Sequence, residues 1–216
     1  GAVAVIAQEA CSIRGFELQS NVEVEVGASI RQQGEEFTVG SLLLSAGMVL
    51  NPPALSLVAS QGLDVASIRS MPKVGMLVTG SELKPPGGQS EGASIYESNS
   101  VGLAAIFQSL GCEVRVERVS DDKAATQSAM ELLLDRHDLL VTIGGVSVGD
   151  FDFVRPCASA LGLESLFEGV AMKPGKPICF GIKNGKAWFG LPGNPISAMV
   201  TFCLFVLPYL GEPLVF

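Results

Sequence analysis

The sequence predicts an α/β fold, a three-layer αβα arrangement with a mostly parallel central sheet, and two patterns support this prediction. Short continuous apolar runs at 73–78 and 138–143 have the length of buried strands. Segments 98–110 and 124–136 space their apolar residues as amphipathic helices do. Strands without alternation, separated by helices, are typical of a parallel sheet that helices cover on both faces. We therefore expect residues 72–210 to form one α/β domain.

Local signals predict where individual elements begin or turn. Asp121 and Asp122 stand where an N-cap belongs, directly before the helix expected over 124–136. Asn184 and Gly185 form a pair that is typical of a two-residue hairpin turn. Pro195 suits the first turn of a final helix, because its missing N–H would be unpaired there in any case.

The flanking regions differ from this domain in pattern. Residues 1–71 predict a partial β-rich segment, since valines and glutamates alternate over 22–26 as in a strand with one face in water. A short helix is expected near 54–61, after two prolines. Residues 211–216 are expected to begin a truncated further region.

Composition excludes several classes of protein. The chain has 216 residues, of which 48% are hydrophobic and 17% charged, and its formal net charge is −8. A disordered chain would be poorer in apolar residues. Because the sequence has no basic run, we expect neither nucleic-acid nor membrane-surface binding. The longest apolar stretch, 196–207, is too short to span a bilayer. Any anionic ligand must therefore be attracted by local groups.

The cysteines and the single histidine argue against zinc. Five cysteines are scattered without a CxxC pair, and His137 is the only histidine of the chain. A Cys/His zinc site needs clustered ligands. An odd number of dispersed cysteines is typical of reduced thiols, so we expect a cytoplasmic protein.

Four loop segments fall at positions where open α/β sheets bind ligands. They span residues 79–83, 144–152, 172–177 and 191–197. Glycines let a backbone approach a ligand closely, and the free amides of a helix N-terminus attract anions. Each segment alone is also compatible with ordinary turn and cap chemistry. Together they favour a phosphate or oxyanion pocket.

The available side chains narrow the chemistry. The sequence contains no Walker A loop, no GxGxxG after a strand and no GxSxG elbow, and His137 lies outside all four loops. What remains is acidic residues beside anion-binding loops, a combination that suits magnesium-assisted chemistry at a phosphate. The candidate carboxylates are Glu82, Asp121, Asp122, Asp150 and Asp152.

Five strings in these regions resemble the molybdopterin molybdenumtransferase family, which includes MoeA and the gephyrin E domain. The strings are TGSEL (79–83), IYESN (95–99), GGVSVGDFDFV (144–154), MKPGKP (172–177) and FGLPGNPISA (189–198). The N-terminal stretches 1–9 and 30–62 are similar to the family as well. The resemblance covers nearly the whole chain, which is identified as a piece from mid-protein to the end of the pterin-binding domain.

The resemblance implies roles for individual residues. Substrate binding would fall to loop and helix-start positions, namely Thr79, Gly80, Ser81, Asn99, Gly144, Gly145, Ser147, Val148, Gly149, Pro192, Gly193 and Asn194. Catalysis would involve Glu82, one of the pair Asp121 and Asp122, and Asp152, with Glu82 and Asp152 as ligands of Mg²⁺. Lys173, Lys176 and Ser197 would bind molybdate.

The family converts adenylated molybdopterin and molybdate into molybdenum cofactor and releases AMP. The resemblance therefore implies these two substrates, a Mg²⁺ cofactor, a homodimer whose cleft is shared between subunits, and the upstream adenylyltransferase as a possible partner.

Two alternatives remain open at this point. The first is a MogA-type molybdopterin adenylyltransferase, which shares the GGVSVG-type loop but has no equivalent of residues 1–71. The second is a pterin-binding or scaffold protein with weakened catalysis. It is motivated by Val3 and Ser81, which stand where the family usually has aspartate.

Overall fold

The computed structural model describes residues 2–89, 92–147 and 152–211. The chain divides into two compact units, Gly1–Ile68 and Arg69–Phe216. Each unit is described separately below.

The first unit has little regular structure. Strands β1 (Cys11–Arg14) and β2 (Glu17–Ser20) form an antiparallel hairpin after a 3₁₀ turn at Gln8–Ala10. Helix α1 (Pro52–Ser60) begins with two prolines, and the side chain of Asn51 caps it by accepting a hydrogen bond from the amide of Ala54 at 3.0 Å.

The strand expected over 22–26 is wrong. Within the described part of this unit the only strands are β1 and β2, so the predicted β-rich character is limited to one hairpin. Val22 and Val26 are more than half exposed. Alternation stabilises a strand only when a partner strand and a covering layer accept its apolar face, and these valines have neither among the described residues.

The second unit is built on a sheet with six strands in its described residues, in the order β6-β3-β7-β10-β9-β8. The parallel strands β6 (Val114–Val119), β3 (Val74–Thr79), β7 (Leu139–Ile143) and β10 (Lys186–Leu191) form its larger part. Strands β9 (Cys179–Lys183) and β8 (Glu164–Glu168) add antiparallel pairs at one side. Every residue of β3 and β7 is buried, as their continuous apolar sequence predicts.

Helices cover both faces of this sheet. On one face pack α2 (Asn99–Ser109) and a terminal helical segment made of α5 (Pro195–Thr201), a π-helical turn (Phe202–Val206) and α6 (Leu207–Leu210). On the other face pack α3 (Lys123–Arg136) and α4 (Val154–Ala160), with Leu133 and Trp188 among the buried contacts. This arrangement confirms the predicted αβα fold with a mostly parallel sheet.

Several predicted boundaries follow from local chemistry. Asp122 caps α3 by accepting a hydrogen bond from the amide of Ala125 at 2.7 Å. Asn184 and Gly185 both have positive φ, 51° and 79°, as the tight turn between β9 and β10 requires. No helix in the described ranges is both long and apolar enough to cross a membrane.

A short ladder lies outside the main sheet. Strands β4 (Leu83–Lys84) and β5 (Ile95–Tyr96) pair in parallel, Leu83 with Ile95 and Lys84 with Tyr96. This ladder connects the loop after β3 to the start of α2.

Candidate functional site

A cavity of about 490 Å³ opens at the carboxyl ends of the parallel strands. Its walls come from the loops after β3, β6, β7 and β10, from β4 and β5, and from the first turns of α2 and α5. Thirteen of the residues predicted from sequence line it: Thr79, Gly80, Glu82, Asn99, Asp121, Gly144, Gly145, Ser147, Asp152, Pro192, Gly193, Asn194 and Ser197. The topology therefore gathers segments that are more than 100 residues apart.

Glycines shape the floor of the cavity. Gly144 and Gly145, directly after β7, have φ of 85° and 64°. A Cβ atom on Gly144 would lie 2.9 Å from the carbonyl oxygen of Thr79, and one on Gly145 would lie 2.7 Å from Cγ2 of Val154. Only glycine fits here, because both the backbone angle and the space exclude a side chain.

Thr79 carries an unpaired polar group at this floor. Its Oγ1 atom is buried and makes no hydrogen bond within the described part of the chain. A buried hydroxyl without a partner is costly, so its presence in the wall of a cavity points to a ligand that accepts or donates a hydrogen bond there.

Three of the five predicted carboxylates border the cavity, and Asp122 does not. Asp121 accepts a hydrogen bond from the amide of Ser81 at 2.8 Å, and the amide of Asp121 donates to Oγ of Ser81 at 3.0 Å. Glu82 and Asp152 also line the walls. Asp122 is engaged as the cap of α3 instead. Asp121 therefore lies at the cavity, whereas Asp122 serves as a helix cap.

The starts of two helices are joined at the cavity wall. Nδ2 of Asn99, in the first turn of α2, donates to the carbonyl oxygen of Gly193 at 2.7 Å. Asn194, which follows Gly193, caps α5 because its side chain accepts hydrogen bonds from the amides of Ile196 and Ser197. Both helix N-termini therefore border the same space, where their partial positive charge favours an anion.

The three residues predicted to bind molybdate do not come together at the cavity. Ser197 lines it, whereas Lys173 and Lys176 are exposed and lie outside its lining. Their loop packs against α5 at Gly175, where a Cβ atom would lie 2.5 Å from Cγ2 of Thr201. Val148 and Gly149, and also Asp150, lie outside the described residues.

Nine lining residues are absent from the predicted site, and Glu97 and Tyr96 are the polar and aromatic ones with the clearest chemical roles. Glu97 is only 2% exposed and accepts hydrogen bonds from the amide of Ser100 at 2.7 Å and from its hydroxyl at 2.5 Å. Arg118 lies 3.4 Å from the same carboxylate. Tyr96 contributes an aromatic ring to the wall. Their place in the string IYESN, directly before a helix, was the available signal.

The charge of the cavity is unusual for an anion site. Its described lining includes Glu82, Glu97, Asp121 and Asp152 but no lysine or arginine. Favourable contacts for an anion must therefore come from backbone amides and hydroxyls. Among the described residues, no group of three or more His, Cys, Asp or Glu side chains could hold a metal ion.

Two buried thiols lie away from this cavity. Burial raises the pKa of Cys157, with an opposing effect from Lys123. Burial also raises the pKa of Cys179, although Arg155 donates a hydrogen bond to its sulfur at 3.1 Å. Both side chains therefore serve as neutral core residues.

The fold and the cavity define an α/β domain with a ligand-sized cavity at the carboxyl ends of its parallel strands. Residues 75–212 match the family described as a probable molybdopterin binding domain, and residues 1–62 match the MoeA N-terminal region (domain I and II). The chain therefore belongs to the molybdopterin-binding domain family.

Curated relatives carry the name molybdopterin molybdenumtransferase. The protein from Staphylococcus aureus (strain MRSA252) is 36% identical over 181 residues, which are 83% of this chain and 43% of that protein. The Haemophilus influenzae protein is 38% identical over 186 residues, or 85% and 46%. Molybdopterin molybdenumtransferase 2 of Mycobacterium tuberculosis is 34% identical over 97% of this chain and 53% of its own length. The chain spans about half the length of these relatives.

Solved structures agree on the fold. The molybdopterin biosynthesis MoeA protein from Pyrococcus horikosii superposes with a TM-score of 0.76 at 31% identity, over 96% of this chain and 52% of that one. Molybdenum cofactor biosynthesis protein B superposes with a TM-score of 0.53 at 18% identity, over 68% of this chain and 94% of that one. The second match shows the α/β fold alone.

Proposed function

We propose that the protein acts in molybdenum cofactor biosynthesis, inserting molybdate into adenylated molybdopterin with release of AMP. The observation that carries this proposal is one cavity that contains the glycine loop, the four carboxylates and the hydroxyl of Thr79, which has no partner among the described residues. The match of residues 1–62 to the MoeA N-terminal region favours this function over that of a single-domain adenylyltransferase.

The anion-binding role falls to neutral groups. The hydroxyl of Thr79 and the backbone around Gly144 and Gly145 would bind the phosphates of the substrate, because this end of the cavity offers hydrogen-bond donors without bulk. The start of α2, fixed to Gly193 through Asn99, would close the opposite wall. Ser197 would contact molybdate, with Lys173 and Lys176 attracting it from the surface.

The carboxylates would assist the attack of water on the adenylate. In the release step, water adds to the phosphorus of the adenylate, the bond to the pterin phosphate breaks, and AMP departs with one phosphate. Asp121 is held in place by Ser81, so its carboxylate can accept a proton from that water. Glu82 and Asp152 line the same cavity and would add further negative charge there.

The carboxylates of the cavity fit Mg²⁺ when the phosphates of the substrate supply further oxygen ligands. Mg²⁺ prefers oxygen ligands and is usually held by one or two carboxylates together with substrate phosphates. Glu82 and Asp152 would be those carboxylates, which agrees with the absence of a cage of three or more acidic ligands in the described residues. When bound, the ion would neutralise charge on the phosphates.

The decisive experiment measures AMP release from adenylated molybdopterin by the purified protein, with and without molybdate and Mg²⁺. We expect release that depends on both. Glu82→Gln should lower the rate roughly a hundredfold, the scale of losing one acid–base or metal-binding group. Glu113→Gln is the matched control, since Glu113 forms an exposed ion pair with Lys73 and does not line the cavity. No molybdate-dependent release would reject the proposal.

We also propose a cytoplasmic homodimer that receives its substrate from the upstream adenylyltransferase. The five free cysteines of the chain support a reducing compartment. Light scattering of the purified protein tests the dimer, since a monomer mass at all concentrations would contradict it. Co-purification with the adenylyltransferase tests the partner.

A further inference from the structure

Tyr96 differs from every other residue that lines the cavity in the described part of the chain, because it alone is aromatic. Its hydroxyl donates a hydrogen bond to the carbonyl oxygen of Gly88 at 3.0 Å. The residue nevertheless remains 53% exposed. The hydroxyl of Tyr96 therefore has a hydrogen-bond partner within the protein, while the residue remains exposed to solvent.

The position of this ring is fixed from both sides. Tyr96 pairs with Lys84 in the β4–β5 ladder, and the amide of Glu97 donates to the carbonyl oxygen of Lys84 at 2.8 Å. The amide of Ile95 donates to the carbonyl oxygen of Glu82 at 3.0 Å. The buried carboxylate of Glu97 then holds the start of α2. Binding to such a ring costs little ordering entropy, because the backbone and the hydroxyl are already positioned.

The surroundings of the ring are chemically distinct from the phosphate end. Leu83 and Ile95 line the cavity beside Tyr96 on the same ladder, whereas Thr79 ends strand β3 of the main sheet and the glycine loop follows strand β7. The described lining has no lysine or arginine that would use the ring for a cation–π contact. A flat, uncharged ring system is the chemistry that this wall fits.

We propose that the ring of Tyr96 stacks on the pterin ring of the substrate and sets the preference of the cavity for a planar bicyclic ligand. This inference rests on the proposed function, since it assigns the pterin end of the molybdopterin substrate to the β4–β5 wall. The phosphate end of the same molecule then reaches the loops after β3 and β7.

The test compares variants of Tyr96 in direct binding of two probes, molybdopterin and AMP, to the purified protein. Tyr96→Leu keeps apolar bulk but removes the π face, and should weaken molybdopterin binding roughly five- to hundredfold, the range for loss of one aromatic stacking contact. It should leave AMP binding unchanged. Tyr96→Phe keeps the ring and loses only the bond to Gly88, so its affinity should stay within a few-fold of the parent.

A spectroscopic readout separates stacking from a merely structural effect. The one natural tryptophan, Trp188, is buried, with its indole N–H donating to Oγ1 of Thr142 at 3.0 Å. The indole introduced by Tyr96→Trp would be accessible, and molybdopterin should quench its fluorescence on binding. This readout needs no loss of affinity and remains valid if Tyr96→Leu fails to fold.

The outcomes distinguish failure of the stacking contact from failure of the proposed function. If the parent protein binds no molybdopterin, the proposed function fails. If the parent binds it but Tyr96→Leu binds equally well and Tyr96→Trp shows no quenching, the stacking contact is rejected and the function stands. If Tyr96→Leu weakens only AMP binding, the wall belongs to the adenine ring and the inference is overturned.

Discussion

Ser81 and Asp121 hold each other through two reciprocal hydrogen bonds across 40 residues of sequence. The amide of each residue donates to the side chain of the other, at 2.8 and 3.0 Å. The pair joins the loop after β3 to the loop after β6, and it fixes the direction of the Asp121 carboxylate at the cavity wall. A hydroxyl therefore suits position 81 because it can accept a hydrogen bond without adding charge.

Replacing this hydroxyl tests the pair. Ser81→Ala should lower the free energy of unfolding by about 1 kcal/mol, the typical value of one hydrogen bond. Ser81→Asp should cost more at low salt, because two carboxylates would then face each other, and added salt should reduce the excess. Urea unfolding at two salt concentrations measures both effects. Ser81→Asn, the neutral isostere of the aspartate variant, is the control and should show no such salt-dependent excess.

The buried carboxylate of Glu97 should be important for stability. Glu97→Ala leaves the buried amide and hydroxyl of Ser100 without their acceptor and removes one of two acceptors of Arg118, so it should destabilise the fold by roughly 3 kcal/mol. Glu117→Ala removes a partly exposed partner of Arg115 on the same strand and should cost less than 1 kcal/mol. Thermal unfolding compares the two. Equal losses would contradict the role of Glu97 as the anchor of α2.

Gly145 should tolerate no side chain. Gly145→Ala would place Cβ 2.7 Å from Val154 at a φ of 64°, so we expect a loss of roughly 2–4 kcal/mol in the free energy of unfolding. Gly185→Ala shares the positive φ but has nothing within 4 Å of the new atom, and should cost only about 1–2 kcal/mol. Urea unfolding and molybdopterin binding should both separate these variants, since only Gly145 lines the cavity.

Alkaline pH should destabilise the protein through its buried thiols. Burial raises the pKa of Cys157 and Cys179 above the ordinary thiol value of 9.0. The unfolded chain therefore loses these protons first, and the stability that the neutral thiols contribute is complete below pH 9 and falls as pH rises above it. Urea unfolding from pH 8 upward should show a shallower decline in the double variant Cys157→Ala, Cys179→Ala. Parallel declines would contradict this assignment.

Local chemistry accounts for the parts of the fold that the sequence predicts well. The buried strands β3 and β7, the cap at Asp122 and the turn at Asn184 and Gly185 depend on residues that are neighbours in the chain. Such features follow from hydrophobic patterning, capping and φ preferences alone. The gathering of loops at one sheet edge follows from the parallel topology.

Long-range contacts explain what the sequence did not predict. The acceptor role of Glu97 depends on Arg118 from another strand, and a lone glutamate before a helix gives no sign of burial. The exposed positions of Lys173 and Lys176 depend on how their loop packs against α5 at Gly175. The valine alternation near residue 24 is a strand pattern that finds no partner strand among the described residues.

The sparse burial of the first unit has a calorimetric consequence. Among the described residues up to 68, only Ala54 is buried. Unfolding of this unit therefore exposes almost no additional apolar surface to water. Heat absorption of the 216-residue chain should therefore scale with the second unit alone. At about 0.7 kcal/mol per ordered residue near 60 °C, we expect an unfolding enthalpy of about 100 kcal/mol rather than about 150. The heat-capacity step should be smaller than the length of the chain suggests, in the same proportion.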